Sequence, residues 1–198
     1  MINYKKSLSI LNKNKITIGS EKVPSKDSLN RVCSKKLFSK VNYPAANNSA
    51  FDGFAIKSSD SKYTSKRKKI KFKVLKVLAA GDKPKVKYKK FTCIEIMTGA
   101  IIPKPFDTII PVELAKIIKL KKNRFLSIDS RIKKNQFVRF CGSDFKKKQL
   151  IILKGEIINS SHILALKTLG VKNILVKKKP NILFFSTGNE ISENNNIA

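Results

Sequence analysis

Tryptophan is absent, histidine appears once, and 13 acidic residues face 43 lysines and arginines in a chain of 198 residues. Each scarcity narrows the available chemistry. With His162 as the single imidazole, and Cys33, Cys93 and Cys141 far apart in sequence, neither a CxxC pair nor a Cys/His set exists to hold structural zinc or to frame a disulfide core. The lone histidine also leaves no usable Ser/His/Asp arrangement for triad hydrolysis. Neither GxxxxGK[ST] nor GxGxxG occurs, so an ordinary nucleotide-binding loop is missing. No apolar run approaches the roughly 20 residues that cross a bilayer. The opening MINYKKSLSILNKNKITIG has no continuous apolar stretch and no Ala-x-Ala pattern, so neither export nor a membrane partner is expected. Widely spaced thiols suit a reducing compartment, and the cytoplasm is the expected location.

What is present is a foldable, strongly basic chain. Hydrophobic residues make up 41%, enough for one ordinary core or two small ones, and the formal charge is +30. Arginine occurs only at Arg31, Arg67, Arg124, Arg131 and Arg139, so nearly all of the excess is lysine. Specific nucleic-acid recognition favours the rigid guanidinium fork, and here the aromatics are not interleaved with arginine. Two readings stand: residue usage with solvated lysines, or a functional basic surface. Under both, nonspecific polyanion binding at low salt is expected, with no specific nucleic-acid partner.

Periodicity suggests short helices over Tyr4 to Leu11 and Lys26 to Val32, with Pro24 near the start of the second. NYPAANNSAFDGFAI reads as a loop entering a strand, and Ser58 to Lys69 as polar and loose. IKFKVLKVL alternates with period two, and TCIEIM alternates Thr92, Ile94 and Ile96 against Cys93, Glu95 and Met97, so both are strands. Further short strands are expected in DTIIPVELAKIIKLKKNRFLSID and FVRFCGSDF. Beyond Leu150, Ile163, Leu164, Leu166 and Leu169 recur at helical spacing. Ser160 or Ser161 is the expected cap, Gly170 the terminator, and NILV the strand that follows. His162 falls in the first helical turn, where exposure or a local backbone bond is the expected role. Cys141 lies in a polar turn and is expected as an ordinary buried or half-buried thiol, with a reactive thiol as the alternative.

In so lysine-rich a chain the acids are informative. Asp52 in NNSAFDG, Asp144 in CGSDF and Glu190 in STGNE each end an apolar stretch beside glycine and small hydroxyl residues. A carboxylate so placed can ligate Mg2+ or orient a substrate hydroxyl, whereas Asp and Gly also simply make turns; the pattern leaves both readings open. Thr98, Gly99 and Ala100 after IEIM resemble an anion-binding turn.

Taken together and in order, YPAANNSAFDGFAI, IEIMTGAIIPKPFDTIIPVE, VRFCGSDF, LGVKNILV and PNILFFSTGNE resemble the N-terminal half of the molybdopterin molybdenumtransferases, the MoeA and gephyrin E-domain family, from about Glu21 to Glu190. The resemblance implies a cytoplasmic homodimer. It also implies insertion of molybdate into the dithiolene of adenylylated molybdopterin, with Mg2+ or a similar divalent cation and release of AMP. Residue by residue, Asp52 matches the active-site aspartate, with Asn48 and Ser49 shaping its loop. Thr98, Gly99 and Ala100 match the Thr-Gly-Ala turn, with Asp107 and Glu113 in the trailing positions. Asp144 matches the acid of the Gly-Glu-Asp block. Thr187, Gly188 and Glu190 match Ser-Thr-Gly-Asp-Glu, where the pterin-binding domain begins. The catalytic set so implied is Asp52, Thr98, Asp144 and Glu190, and the binding set is Asn48, Ser49, Gly99, Ala100, Thr187 and Gly188; no residue is assigned as a metal ligand. Asn47, Ser143 and Asn189 depart from the family pattern, which has acids there.

The expected architecture is mixed α/β. Residues 1–53 and 139–177 form a discontinuous α/β module, 54–138 an inserted, mostly β module, and 178–198 the first strand of a pterin-binding domain that the sequence leaves unfinished. In the resemblance the active site forms where the N-terminal lobe of one subunit caps the pterin domain of another. This chain alone is therefore expected to be the capping lobe, active only with a complementary pterin-binding half. The competing expectation is a dimerisation or binding lobe without chemistry.

Overall fold

Nine residues of alternating character, Ile70–Leu78, put Phe72 into the core while Lys71 and Lys73 stay wet, and a sheet assembles around them. The computed structural model describes residues 2–185. In chain order the elements are α1 (Tyr4–Lys13), β1 (Ser20–Pro24), β2 (Leu37–Phe38), β3 (Asn48–Ser49), β4 (Gly53–Ile56), β5 (Ile70–Leu78), β6 (Thr92–Ile96), β7 (Thr108–Pro111), β8 (Lys116–Leu120), β9 (Asn123–Ile128), β10 (Val138–Arg139), β11 (Leu150–Ile152), α2 (Ser160–Thr168) and β12 (Asn173–Lys177). Short 3-10 turns occupy Ser25–Asp27, Ser58–Ser61 and Val112–Leu114. The fold is mixed α/β, mainly sheet, in two compact units: residues 2–37 with 151–185, and Phe38–Leu150.

The Phe38–Leu150 unit is built on a six-stranded sheet in the order β7-β4-β6-β5-β9-β8, antiparallel except for the parallel β5–β6 pair. β4 is buried at all four positions, because both faces of the sheet are covered. Phe54, Ile56, Phe72, Cys93 and Leu126 fill one face, and Ala55, Leu78, Ile94, Ile96 and Ile109 the other. The alternation expected for β6 is thus seen, with Glu95 half-buried and held by Arg124 at 2.6 Å. The boundaries expected at 53/54 and 138/139 fall inside this unit. β3 pairs antiparallel with β10, Ser49 opposite Val138, and Ser39 exchanges backbone hydrogen bonds with Gln149 and Lys148, both at 2.8 Å, so the flanking chain closes around the sheet.

The segment read as loose, Ser58 to Lys69, is anchored in its first half. Asp60 is buried and accepts from the Tyr88 hydroxyl at 2.8 Å and from the Phe91 N–H at 3.1 Å, while the Ser61 hydroxyl accepts from the Ile132 N–H at 2.9 Å. A buried carboxylate needs such donors to offset its lost hydration. Local composition carries no sign of donors 28 and 31 residues away.

In the other unit β1 pairs antiparallel with β12, and Cys33, Ile152, Ile158, Leu166, Ile174 and Val176 form the core. The expected helix ahead of β12 is α2, but its cap is Asn159, not Ser160 or Ser161. Asn159 takes the extended conformation a cap requires, and its side chain accepts from the His162 N–H at 3.0 Å while His162 Nδ1 accepts from the Asn159 N–H at 3.2 Å. His162 thus makes the local backbone bond expected of it. Gly170 ends the helix at φ +67°, with its N–H on Lys167. The helix expected over Lys26 to Val32 does not form. Pro24 closes β1 instead, and Arg31, Cys33 and Ser34 are drawn into long-range pairing with Ile158, Glu156 and Leu175. That pairing supplies a hydrogen bond for each residue and overrides a weak helical preference. α1 runs two residues past the expected Leu11, capped by Asn3, and buries none of its side chains. The strand expected from Asn181 is not seen through Phe185, where the chain is exposed; the rest of it lies outside the described residues. Among the described residues no helix is long and apolar enough to cross a membrane.

Two outcomes test this packing. A Cβ on Gly53 would stand 2.2 Å from the Ile110 carbonyl oxygen, so Gly53→Ala is expected to cost about 3 kcal/mol in urea unfolding followed by circular dichroism. Burial first, and then its bond to Asp60, push the Tyr88 hydroxyl from 10 up to about 12. The folded chain therefore holds that proton more tightly than the unfolded one. The associated stability is whole below pH 10 and is lost as pH rises through about 12. Tyr88→Phe is expected to lower stability by about 1–3 kcal/mol at neutral pH and to flatten this alkaline decline. An unchanged slope in the variant would refute the Tyr88 assignment.

Candidate functional site

The site grows from β3. Asn48 and Ser49 are bound on one edge by β10. On the other, the Ser49 N–H donates to the Ala100 carbonyl at 3.0 Å, the Gly99 N–H to the Ser49 carbonyl at 2.9 Å, and the Ile102 N–H to the Asn47 carbonyl at 3.0 Å. Gly99, at φ +82°, gives the Thr98-Gly99-Ala100 turn the left-handed backbone it needs to reach that edge. The Ser49 hydroxyl donates to the Phe51 carbonyl at 2.5 Å, and the Val112 N–H to the Asp52 carbonyl at 3.0 Å, so the chain folds back immediately ahead of Gly53.

This turn aims Asp52 at Thr98. The Thr98 N–H and hydroxyl both donate to Asp52 Oδ1, at 2.6 and 2.7 Å, and the carboxylate is exposed. The backbone bond first, and then the hydroxyl bond, hold the Asp52 carboxyl below the usual carboxylate range. Oδ2 has no hydrogen-bond partner among the described residues. In the turn read as anion-binding, Thr98 spends both donors on Asp52 and positions it. The rings of Phe51 and Phe137 meet edge to face at 5.3 Å beside this turn.

Asp144 belongs to a second turn of the same unit. Its carboxyl is held low first by the Arg139 guanidinium and then by the Ser143 hydroxyl at 3.0 Å, while its N–H donates to the Tyr43 carbonyl at 3.0 Å. Asn47 Oδ1 accepts from the Cys141 N–H at 2.8 Å, so an amide oxygen serves where the family pattern has a carboxylate. Cys141 is exposed, contrary to the buried or half-buried thiol expected, because this turn sits at the surface; its thiol donates to the Ala45 carbonyl at 3.2 Å. No hydrogen bond joins Asp144 to Asp52. They are related through β3 and β10, which hold the Asn48 loop and the Arg139 turn side by side.

Of the remaining expected residues, Asn48 has its Oδ1 buried without a partner among the described residues, and Ala100 is buried. Asp107 accepts from both the N–H and the hydroxyl of Ser58, at 2.7 and 3.0 Å, and Glu113 is exposed in a 3-10 turn. Thr187, Gly188 and Glu190 lie outside the described residues. Sequence reasoning missed Arg139 as the partner of Asp144; its signal was an arginine five residues ahead of the acid in a chain that rarely uses arginine. Among the described residues no three His, Cys, Asp or Glu side chains converge on one point. Magnesium commonly takes one or two carboxylates and completes its octahedron with phosphates and water. The donor set here fits only such a partial site, with Asp52 Oδ2 as the open oxygen.

A molybdopterin molybdenumtransferase of Staphylococcus aureus (strain Mu50) is 30% identical over 182 residues, which cover 92% of this chain and 41% of the relative. That of Bacillus subtilis (strain 168) is 27% identical over 172 residues, 87% of this chain and 40% of the relative. A crystal structure of the molybdopterin biosynthesis MoeA protein from Pyrococcus horikoshii matches with a TM-score of 0.80 at 26% identity, covering 90% of this chain and 45% of that one. The chain thus spans about two-fifths of the length of the curated relatives it matches. The family model described as the MoeA N-terminal region (domain I and II) matches residues 2–170, a span that includes Asp52, Thr98 and Asp144, and the chain belongs to this family.

Proposed function

We propose that this chain supplies the capping lobe of a molybdopterin molybdenumtransferase, acting in the cytoplasm with a pterin-binding half to insert molybdate into adenylylated molybdopterin and release AMP. The observation that carries the reading is the Asp52 carboxylate, kept ionised by the two Thr98 donors and left with one open oxygen. Molybdate is an anion, so Asp52 does not bind it directly. The carboxylate suits a divalent cation such as Mg2+ set against the substrate phosphates, or a proton donor on the substrate. Asp144 is a second fixed carboxylate, with its charge partly offset by Arg139. In this reading Asn48, Ser49, Gly99 and Ala100 shape the loop and turn, and Thr187, Gly188 and Glu190 open the pterin-binding part.

A dimerising lobe without chemistry is the second reading, and α1 favours it. Tyr4, Leu8 and Leu11 recur at helical spacing, are exposed, and are backed by Lys6 and Lys13 on the opposite side. An amphipathic helix with none of its side chains buried suits pairing with a second copy of this chain. Light scattering is expected to report a dimer, converted to monomer by Leu8→Glu with Leu11→Glu; an unaltered mass in that variant removes α1 from the interface.

The transferase reading is tested by AMP release from adenylylated molybdopterin, molybdate and Mg2+ with this chain and a separately expressed pterin-binding half. Asp52→Asn keeps an acceptor for Thr98 and deletes the charge; it is expected to lower the rate by roughly 10²–10³-fold, the size of one preorganised electrostatic contact. Thr98→Val removes the hydroxyl bond, raises the Asp52 carboxyl toward its ordinary value and is expected to move the acid limb of the pH profile to higher pH. Full activity in Asp52→Asn would transfer the role elsewhere, and no AMP release with the wild-type chain would favour the dimerising lobe.

A further inference from the structure

The three segments that carry Asp52, Thr98 and Asp144 also enclose a cleft that the reading above leaves unused. Its volume is about 800 Å3, within the range of sites that bury small organic ligands. Asn47 enters it from the loop before Asp52, Ile101 to Phe106 continue the Thr98 turn along one wall, and Val138 of β10 closes it ahead of the Asp144 turn. The walls are mostly apolar, formed by Ile102, Pro103, Pro105 and Phe106, with the amides of Asn47 and Asn135 set among them.

Four charged side chains line the cleft: Lys57, Lys104, Lys134 and Asp107. Asp107 has both oxygens occupied by Ser58. None of the three lysines is paired with a carboxylate among the described residues. The Lys57 ammonium rests 5.1 Å from the centre of the Tyr88 ring, whose hydroxyl is bonded to Asp60, so this cation is held on a fixed surface. Unpaired cations around a concave, low-dielectric wall focus a positive potential into the cleft. Inorganic phosphate would leave the apolar walls bare, and an uncharged ring would leave the lysines without an anion.

We propose that this cleft binds an organic phosphate, a flat body against the Ile102–Phe106 wall with its phosphate on Lys57, Lys104 and Lys134. The proposal rests on the transferase reading only for its choice of nucleotide, AMP, as the probe. Asn47 ties the cleft to the Asp52 loop, since its Oδ1 is taken by the Cys141 N–H and its amide donors remain for a ligand. Occupancy would then bear on the loop that sets Asp52.

Calorimetric titration of the full chain with AMP, adenosine and inorganic phosphate tests the proposal without any turnover. AMP is expected to bind at least roughly tenfold more tightly than either part alone, the equivalent of about one charge-assisted hydrogen bond. Exchanging Lys57, Lys104 and Lys134 for Gln removes three charges and is expected to weaken AMP by roughly tenfold or more. The same exchange at Lys146, Lys147 and Lys148, outside the cleft, removes equal charge and is expected to change it less than about twofold. A Lys104→Gln, Lys134→Gln double variant leaves the Tyr88 contact intact and is expected to show most of the loss. Equal losses in the two triple variants would reduce the effect to the overall positive charge. Adenosine binding as well as AMP, or no AMP binding at all, would overturn the proposal. AMP release with the pterin-binding half is a separate measurement, so failure of the cleft leaves the transferase reading standing, and the reverse.

Discussion

Two residues of extended chain, Asn48 and Ser49, hold the candidate chemistry in place. β3 has both edges occupied, by β10 on one side and by the backbone of residues 99–102 on the other. A strand this short has no stability of its own. It exists because each flanking segment is secured elsewhere: the Thr98 turn by β6, β10 by the Asn47 to Cys141 bond, and Gly53 by an approach to Ile110 that excludes any side chain. Loss of any one of these frees the loop that ends in Asp52. The site is therefore a property of the whole Phe38–Leu150 sheet, although its polar atoms sit on loops.

Charge is arranged unevenly over this frame. In a chain of +30, lysine might be expected to supply the partners of the acids, yet most of the described pairs use arginine: Arg31 with Glu21, Arg124 with Glu95 and Arg139 with Asp144. Lys116 with Asp129, at 3.5 Å between exposed groups, is the lysine case. The planar guanidinium loses less freedom per hydrogen bond formed and carries a weaker hydration shell, so it holds a carboxylate in one geometry where an ammonium on four methylenes does not. Scarce arginines thus mark the places where geometry matters, and abundant lysines keep the surface solvated. Asp52 has neither cation; it is held by two neutral donors, which fix its direction while leaving its negative charge uncancelled.

What the sequence disclosed follows from the range of the forces involved. The alternation of β5 and β6, the helical spacing before Gly170 and the strand of Asn173–Lys177 are local signals, and each is found in place. β3 is two residues long and carries no period. The helix expected over Lys26 to Val32 was lost to partners more than 100 residues away, and the order of Ser58–Ser61 depends on Tyr88, Phe91 and Ile132. At the site, Asp52 stood out as an acid in an apolar-to-glycine turn, but its bond to Thr98 spans 46 residues, and nothing local told Thr98 to face Asp52 and not a ligand. Family resemblance placed Asp52 and Thr98 in one set, whereas which atom donates to which required coordinates.

That direction of hydrogen bonding bears on what the lobe can contribute. A hydroxyl free to donate outward would make the Thr98 turn an anion receptor, but with both donors spent on Oδ1 the turn presents a carboxylate instead. The segments that fix this negative group also line a cleft whose lysines carry no described counter-charge. Charges of opposite sign are thus organised by one backbone frame. If the frame yielded, these lysines could approach the acids, since attraction between unlike charges strengthens as they draw together. Asp52 resists this because its backbone is pinned at Val112 and its side chain at Thr98, and Asp144 because Arg139 already occupies it. Rigidity of β3 and its neighbours is therefore an electrostatic requirement as well as a packing one: it keeps the Asp52 Oδ2 oxygen uncompensated among the described residues, and so open to a cation or a proton donor.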